Sequence, residues 1–126
     1  MIDQLLIDAI GDALAAELPS VFIGRQHTAE ELALPAVLLK VESESVVGGP
    51  LYRGTIEAVV ISQSDDSTTA QHATLCLEVD TAFRGLSISS PSVALYGIVA
   101  TTASPDVDGG QFRTSLNYIA GYGPTT

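Results

Sequence analysis

The spacing of apolar residues predicts an amphipathic helix at the start of the chain. Apolar positions recur every three or four residues through residues 2–18, while Asp3, Asp8 and Asp12 occupy the opposite side. Pro19 disfavours the helical conformation of Leu18 and so ends the helix. The apolar positions are Ile2, Leu5, Leu6, Ala9, Ile10, Ala13, Leu14 and Leu18.

Alternating patterns then predict two consecutive strands. Apolar and charged residues alternate through residues 36–47, and residues 51–63 alternate in the same way. Gly48, Gly49 and Pro50 supply the turn between them. The second half of residues 51–63 is apolar on both faces, which predicts a place in the middle of the sheet.

A second amphipathic helix is predicted up to Arg84. Asp65, Asp66 and Ser67 are suitable N-cap residues, and Gly85 suits the left-handed C-cap position. Arg84 in the last turn complements the helix dipole. The residues expected on its buried side are Ala73, Cys76, Val79, Ala82 and Phe83.

The remaining pattern completes an α+β fold. Residues 92–103 and 111–122 read as strands, and the turn-rich stretch from Ser104 to Gly110 reads as a hairpin loop between them. Residues 21–34 are ambiguous: the sequence allows a short strand at Val21–Gly24, and Thr28–Glu31 has the capping-box spacing of a brief helical turn. The order α-β-β-α-β-β predicts a mostly antiparallel sheet of four to five strands, with two main helices packed on one face.

Composition narrows the classes of function. The 126 residues correspond to one domain, residues 1–126. The formal charge is −10, with only five basic residues, which argues against binding to nucleic acid or to an anionic membrane. Charged residues make up 16% of the chain, against about 25% in typical soluble domains. This favours self-association, because subunit interfaces are depleted in charge, although an Ala/Thr/Ser-rich monomer fits the composition equally well.

No arrangement of residues predicts catalysis, a cofactor or a metal ion. His72, Cys76 and Asp80 recur every four residues, but the outer two are about 12 Å apart along a helix, too far to share one ion. A small buried thiol beside a partly exposed histidine is the favoured interpretation. The stretch Asp106–Gly109 resembles a fragment of a calcium loop, yet lacks the closing glutamate, which favours a hairpin turn.

The order of segments resembles the tail terminator, or tail-completion, proteins of tailed bacteriophages and prophages. The resemblance covers nearly the whole chain. Its signs are the N-terminal helix, a Leu-Pro-Ala-Val-Leu-Leu strand opening at residues 34–39, a strand from Arg53 to Ser62, a helix entered through Asp65 and Asp66, the segment Asp108-Gly109-Gly110-Gln111-Phe112-Arg113, and a last strand with Tyr118 and Tyr122.

The resemblance implies a structural protein of the virion, without enzymatic activity or catalytic residues. It implies a homo-hexameric ring at the head-proximal end of the tail, assembled in the host cytoplasm. Such a ring stops growth of the tail tube, contacts the major tail tube protein and presents a face to the head-completion or connector protein. DNA passes through the ring without specific binding, and no membrane is involved.

Two sets of residues are candidates for the contacts of such a ring. The hairpin around Ser43–Tyr52 and the stretch Ser104–Gly110 lie at strand ends, where they can reach neighbouring subunits or the tube. The interface candidates are Gly48, Gly49, Tyr52, Arg53, Asp106, Asp108 and Arg113. The acids that could line the lumen and repel DNA phosphates are Glu42, Glu44 and Glu57.

Two alternatives remain open. Another head–tail connector, such as a stopper or neck subunit, would share most of these features. A small α+β ligand-binding domain or enzyme would instead need polar groups converging inside the apolar layer, and the predicted inward-facing residues are nearly all aliphatic.

Overall fold

The computed structural model describes residues 2–25, 35–45, 52–63, 69–86, 88, 93–108 and 111–124. These residues form two helices and five strands in an α+β arrangement, as the sequence pattern predicted. The elements in chain order are α1 (Ile2–Glu17), β1 (Phe22–Arg25), β2 (Ala36–Ser45), β3 (Tyr52–Gln63), α2 (Thr69–Arg84), β4 (Val93–Asp108) and β5 (Gln111–Pro124).

The described strands form a single sheet with the order β1-β2-β3-β5-β4. β1 pairs with β2 in parallel, and the other pairs are antiparallel. The strand considered at Val21–Gly24 is therefore present as β1, and the helical turn considered at Thr28–Glu31 lies outside the described residues. β3 lies in the middle of the sheet, which explains why its second half is apolar on both faces.

Both helices pack on one face of the sheet. Leu6, Ile10 and Leu14 of α1 are fully buried, as the apolar stripe of that helix predicted. The buried residues of β2, β3 and β5 on this face recur at every second position, because successive side chains of a strand point to opposite faces. The buried strand residues of this core are Val37, Leu39, Ile56, Ala58, Val60, Val93, Leu116, Tyr118, Ala120 and Tyr122.

The last hairpin is longer than the sequence indicated. The stretch Ser104–Asp108 was expected in a loop, but it continues β4 and pairs with β5. Pro105 is tolerated because β4 is an edge strand, where a missing backbone donor need not break a ladder. Pairing with the strongly alternating β5 outweighs the local turn signals. Because Asp106 and Asp108 occupy strand positions, the hairpin-turn interpretation of these residues is wrong, and the calcium-loop interpretation gains no support.

The buried side of α2 also differs from its prediction in one residue. Ala73 is exposed, and its neighbour His72 is buried instead, with 8% of its surface accessible. The inward stripe of α2 therefore begins with His72 and continues through Cys76, Val79 and Phe83. The sequence pattern favoured the apolar Ala73 over the polar His72 for this buried position. Hydrogen bonds to its ring nitrogens make the burial of His72 possible. The proposed N-cap residues lie outside the described part of the chain.

Candidate functional site

The face of the sheet opposite the helices, called here the open face, is uneven in burial. At one end Leu38 and Ile61 are buried. At the other end Tyr96, Val99 and Ile119 are 62%, 66% and 44% exposed, respectively. Exposed large apolar side chains that lie next to one another are typical of interaction sites, whereas isolated ones are ordinary. The exposed end of the open face is therefore the first candidate surface.

A groove of about 580 Å³ lies at this end of the sheet and is called here the glycine groove. Gly97 of β4 and Gly121 of β5 are paired across the two strands and form part of its lining. The groove is lined almost wholly by apolar atoms. Its lining residues are Tyr52, Arg53, Tyr96, Gly97, Ile98, Val99, Ile119, Ala120, Gly121 and Tyr122.

The two paired glycines are not explained by packing within the chain. A Cβ atom at Gly97 or Gly121 would meet no atom within 4 Å. A glycine inside a strand weakens the strand, and it often marks a place where a ligand or another backbone approaches closely. The interface candidates predicted from the sequence do not include these residues, although two glycines inside predicted strands were a usable signal. Their position opposite one another becomes visible only in the strand register.

The structure places the candidate interface residues in different situations. Tyr52 and Arg53 line the glycine groove, and the Tyr52 ring stacks on the buried Tyr122 at 5.9 Å between centroids. Arg113 is half-buried, and its position in the β3–β5 register, opposite Ile61, lies on the open face. Asp106 and Asp108 pair through their backbones with Arg113 and Gln111 of β5, while Gly48 and Gly49 lie outside the described residues.

The three acids considered for a lumen share one face by register. Positions 42 and 44 of β2 lie opposite Thr55 and Arg53, and Glu57 of β3 lies opposite Lys40. These positions all belong to the open face, because they alternate with the core residues. Glu42 forms an ion pair with Lys40 at 2.8 Å, and Glu57 accepts a 2.7 Å hydrogen bond from Ser115. Their place in a lumen stays a prediction.

A second, different groove of about 870 Å³ lies between the C-terminal halves of the two helices, and it is called here the helix groove. Leu77 of α2 lies at this groove and is 66% exposed. Glu17 and Glu78 bring two carboxylates to the same groove. The chain thus presents two grooves. The glycine groove is almost wholly apolar, with Arg53 in its lining, whereas the helix groove has a mixed lining that includes Glu17, Glu78 and Thr81.

A buried polar cluster surrounds His72 under α2. The Oγ of Ser62 lies 2.6 Å from the histidine Nδ1, and the Oγ1 of Thr114 lies 2.8 Å from its Nε2. The Sγ of Cys76 lies 3.5 Å from the same Nε2. The histidine was expected to be partly exposed, which is wrong. Both ring nitrogens have hydroxyl partners, so a neutral imidazole is satisfied inside the protein.

The electrostatics of this cluster oppose nucleophilic chemistry. Burial lowers the pKa of His72 and raises the pKa of the Cys76 thiol, although a hydrogen bond with Thr114 acts in the other direction on the thiol. A reactive cysteine–histidine pair needs a thiolate beside an imidazolium. Here both shifts favour the neutral forms, so the arrangement is suited to holding α2 against β3 and β5.

We expect His72 to make the protein less stable as the pH falls below about 6.5. Its pKa in the folded chain lies below the ordinary value of 6.5, so the unfolded chain binds the proton first. The free energy of unfolding should then fall by at most about 1.4 kcal/mol per pH unit. Urea unfolding between pH 7 and 5 should show this slope in the wild type and in His27→Gln, and a smaller slope in His72→Gln. Equal slopes in all three proteins would contradict the assignment.

A second polar link joins α2 to β5. The hydroxyl of Tyr118 donates a 2.7 Å hydrogen bond to Asp80, and Arg84 donates another at 2.8 Å. Burial by itself raises the pKa of Asp80, but these two hydrogen bonds outweigh it and hold that pKa below its ordinary value. Burial and the acceptor carboxylate raise the pKa of Tyr118. The tyrosine therefore stays protonated and acts as a permanent donor.

Two further findings concern metal ligands and membrane spans among the described residues. Within these parts of the chain, no group of three or more His, Cys, Asp or Glu residues is placed to hold a metal ion. Of the two helices, neither has the length and apolar character needed to span a bilayer.

Comparisons with known proteins show a shared fold. No family model matches the chain, and no curated protein is similar to it in sequence. One solved chain comes from the virion of a native gene transfer agent particle. It is 22% identical, with a TM-score of 0.66 and 94% of each chain covered. A second solved chain, which carries no functional description, is 17% identical with a TM-score of 0.62, covering 96% of this chain and 91% of that one.

Proposed function

We propose that this protein is a structural component of a phage-like virion and acts as its tail terminator. In this role, copies of the chain form a ring, expected to be a hexamer, on the head-proximal end of the tail tube. The ring stops elongation of the tube and joins it to the head. The protein transforms no molecule in this process, and its partners are further copies of itself, the tube protein and a head-completion protein.

The observation that carries the proposal is the fold shared with a chain from a gene transfer agent virion. That likeness extends over 94% of both chains, so it concerns the whole arrangement of helices and sheet. The order of segments, with its Leu-Pro-Ala-Val opening and its last alternating strand, supports the finer assignment to tail terminators.

The surfaces described above suit a protein that acts through assembly. A ring is built from two different patches on each subunit, repeated until the circle closes. The glycine groove and the helix groove are two such patches on different sides of the chain. A ligand-binding domain is less well supported, because the glycine groove offers hardly any polar groups to orient a small molecule.

The acid excess fits passage of DNA through the proposed ring. With five basic and fifteen acidic residues, the chain carries a net charge of −10 and as a whole repels phosphates. Glu42, Glu44 and Glu57 occupy positions on the open face, but Lys40, Arg53 and Arg113 share that face, so the expected repulsion of DNA rests on the overall charge of −10 and not on this face alone. DNA would then pass without being held.

The proposal is tested by adding the purified protein to tail tubes assembled without a terminator. We expect a ring at one end of each tube by negative-stain microscopy, and a narrow distribution of tube lengths when the protein is present during assembly. Tubes without added protein are the control and should vary widely in length. Binding to purified heads with no effect on tubes would point to a stopper or neck subunit, and no binding to either would contradict a role in the virion.

A further inference from the structure

The two halves of α2 are held on the sheet by different kinds of side chain. Among residues 70–78, His72 is the buried side chain, Leu75 and Cys76 are half-buried, and the others are exposed. The N-terminal half of the helix therefore depends for its main anchor on a group that can take up a proton.

The C-terminal half of α2 has anchors of its own. Val79 and Phe83 are fully buried, and the Phe83 ring stacks on Tyr118 with centroids 4.3 Å apart. The hydroxyl of Tyr118 also donates a 2.7 Å hydrogen bond to Asp80. Burial raises the pKa of Asp80, but hydrogen bonds from Arg84 and Tyr118 outweigh it and hold that pKa below 3.8. These anchors therefore keep their charges and contacts at pH 5.

We propose that α2 is an acid-sensitive latch, in which protonation of His72 releases residues 70–76 from the sheet. The C-terminal half of the helix stays docked, so the subunit opens at one end of α2 without unfolding as a whole. The ring of Phe112, whose centroid lies 5.3 Å from that of the His72 ring, becomes more exposed in the open form. The latch is a property of the subunit and does not rest on the proposed function.

The partners of His72 suit a neutral imidazole and not an imidazolium. A neutral ring donates at one nitrogen and accepts at the other, and the hydroxyls of Ser62 and Thr114, at 2.6 and 2.8 Å, can serve either nitrogen. An imidazolium donates at both nitrogens and carries a charge that these neutral hydroxyls do not balance. Burial of such an unpaired charge is unfavourable.

The other groups around His72 do not supply the missing negative charge among the residues that the structure describes. On α2 the neighbouring titratable group is Cys76, and burial raises the pKa of its thiol, which keeps it neutral. On β3 and β5, Ser62, Phe112 and Thr114 share the helix-side face. His72 is also the fourth residue of α2, where the positive end of the helix dipole opposes a second positive charge.

The nearest charged residues of these elements are directed elsewhere. Glu57 of β3 and Arg113 of β5 belong to the open face by register, and Asp80 lies two turns further along α2 in contact with Tyr118. Asp65 and Asp66, which precede α2, lie outside the described residues.

The direction of the pH effect follows from these surroundings. Burial lowers the pKa of His72 below 6.5 in the closed form, whereas a solvated imidazole in the open form keeps about its ordinary value. The open form therefore binds the proton first, and acid favours opening by up to about tenfold per pH unit below about pH 6.5. Above this range both forms hold a neutral imidazole, and the latch stays closed.

Hydrogen–deuterium exchange of the full chain, read by mass spectrometry at pH 7, 6 and 5, tests the latch. Exchange rates are divided into the intrinsic rate at each pH to give protection factors. We expect residues 70–76 to be less protected than residues 79–84 and α1, and to lose protection by up to about tenfold per pH unit. At pH 5 they should exchange freely while the other two segments remain protected.

Two histidine variants assign the effect to one side chain. His72→Gln retains an amide that can donate to one hydroxyl and accept from the other, but it cannot be protonated. Protection of residues 70–76 in this variant should no longer depend on pH. His27→Gln removes the other histidine of the chain and should behave like the wild type. An unchanged acid dependence in His72→Gln would overturn the latch.

The wild type alone also decides the question, even where a variant fails to fold. Equal protection of residues 70–76 and α1 at each pH would mean that the molecule opens only as a whole, which contradicts a latch. Constant protection of residues 70–76 between pH 7 and 5 would contradict it as well. Early and selective loss of protection in residues 70–76 is the result that supports it.

Discussion

Replacing Phe83 with alanine is expected to destabilise the protein by about 3–5 kcal/mol. Phe83 is fully buried, and its ring stacks on Tyr118 with centroids 4.3 Å apart and planes 12° apart. The substitution removes the stacked ring and leaves a cavity between α2 and β5, because close-packed neighbours relax only in part. Since a domain of this size is stable by about 5–15 kcal/mol, much of its stability would be lost.

The measurement is urea unfolding monitored by circular dichroism, at a protein concentration where one species is present. In a thermal scan followed by the same signal, the melting temperature should fall by about 10–20 °C. Leu77→Ala is the matched control, because it also shortens an apolar side chain of α2 but at an exposed position. Its effect on the free energy of unfolding should stay within about 0.5 kcal/mol. Similar losses in both variants would show that Phe83 does not hold the core together.

Gly54→Ala is expected to destabilise the chain by about 1–3 kcal/mol, although alanine is normally the better residue in a strand. A Cβ atom at this position would lie 2.8 Å from the hydroxyl oxygen of Tyr122 and 3.0 Å from the backbone oxygen of Glu42. Tyr122 is fully buried, and Glu42 belongs to the neighbouring strand β2. Neither atom can retreat without disturbing the centre of the sheet.

Gly97→Ala is the matched control for this prediction. It makes the same change in another strand of the sheet, at a position where the new Cβ atom meets no atom within 4 Å. It should be neutral or stabilising by up to about 1 kcal/mol. Adding Tyr122→Phe to Gly54→Ala should recover part of the lost free energy of unfolding. The substitution removes the hydroxyl oxygen that lies nearest to the new Cβ atom, while the backbone oxygen of Glu42 remains close to it. Opposite signs for the two glycine variants would confirm that Gly54 serves internal packing and Gly97 does not.

The candidate surface was predictable only in part. Tyr52 and Arg53 were selected because they lie near a strand end, and they do line the glycine groove. Tyr96, Val99 and Ile119 were not selected, although the alternation of residues 111–122 places position 119 on the same side as Arg113 and Asn117. Which face of an edge strand stays uncovered depends on the whole arrangement of helices, and no local pattern contains that information.

The amino-acid sequence by itself determined the class of the fold. Helix and strand patterns depend on residues within a few positions of one another. The 3.6-residue period marks α1, and the two-residue period marks β2, β3 and β5. The order of the elements follows from these patterns. This periodicity reflects which side of a helix or strand faces the core. The sequence therefore shows it even when the element that packs against that side is unknown. The strongly acidic balance of the chain is likewise a property of composition alone.

Tertiary structure decided the features that depend on distant partners. β4 extends to Asp108 because β5 pairs with it along its length, against the local turn signals. His72 enters the core because Ser62 and Thr114, from two different strands, satisfy its ring. Gly97 and Gly121 form one groove only through a register that joins positions 24 residues apart (121 minus 97). In each case, a contact between distant segments stabilises the observed structure by more than the local sequence preference destabilises it.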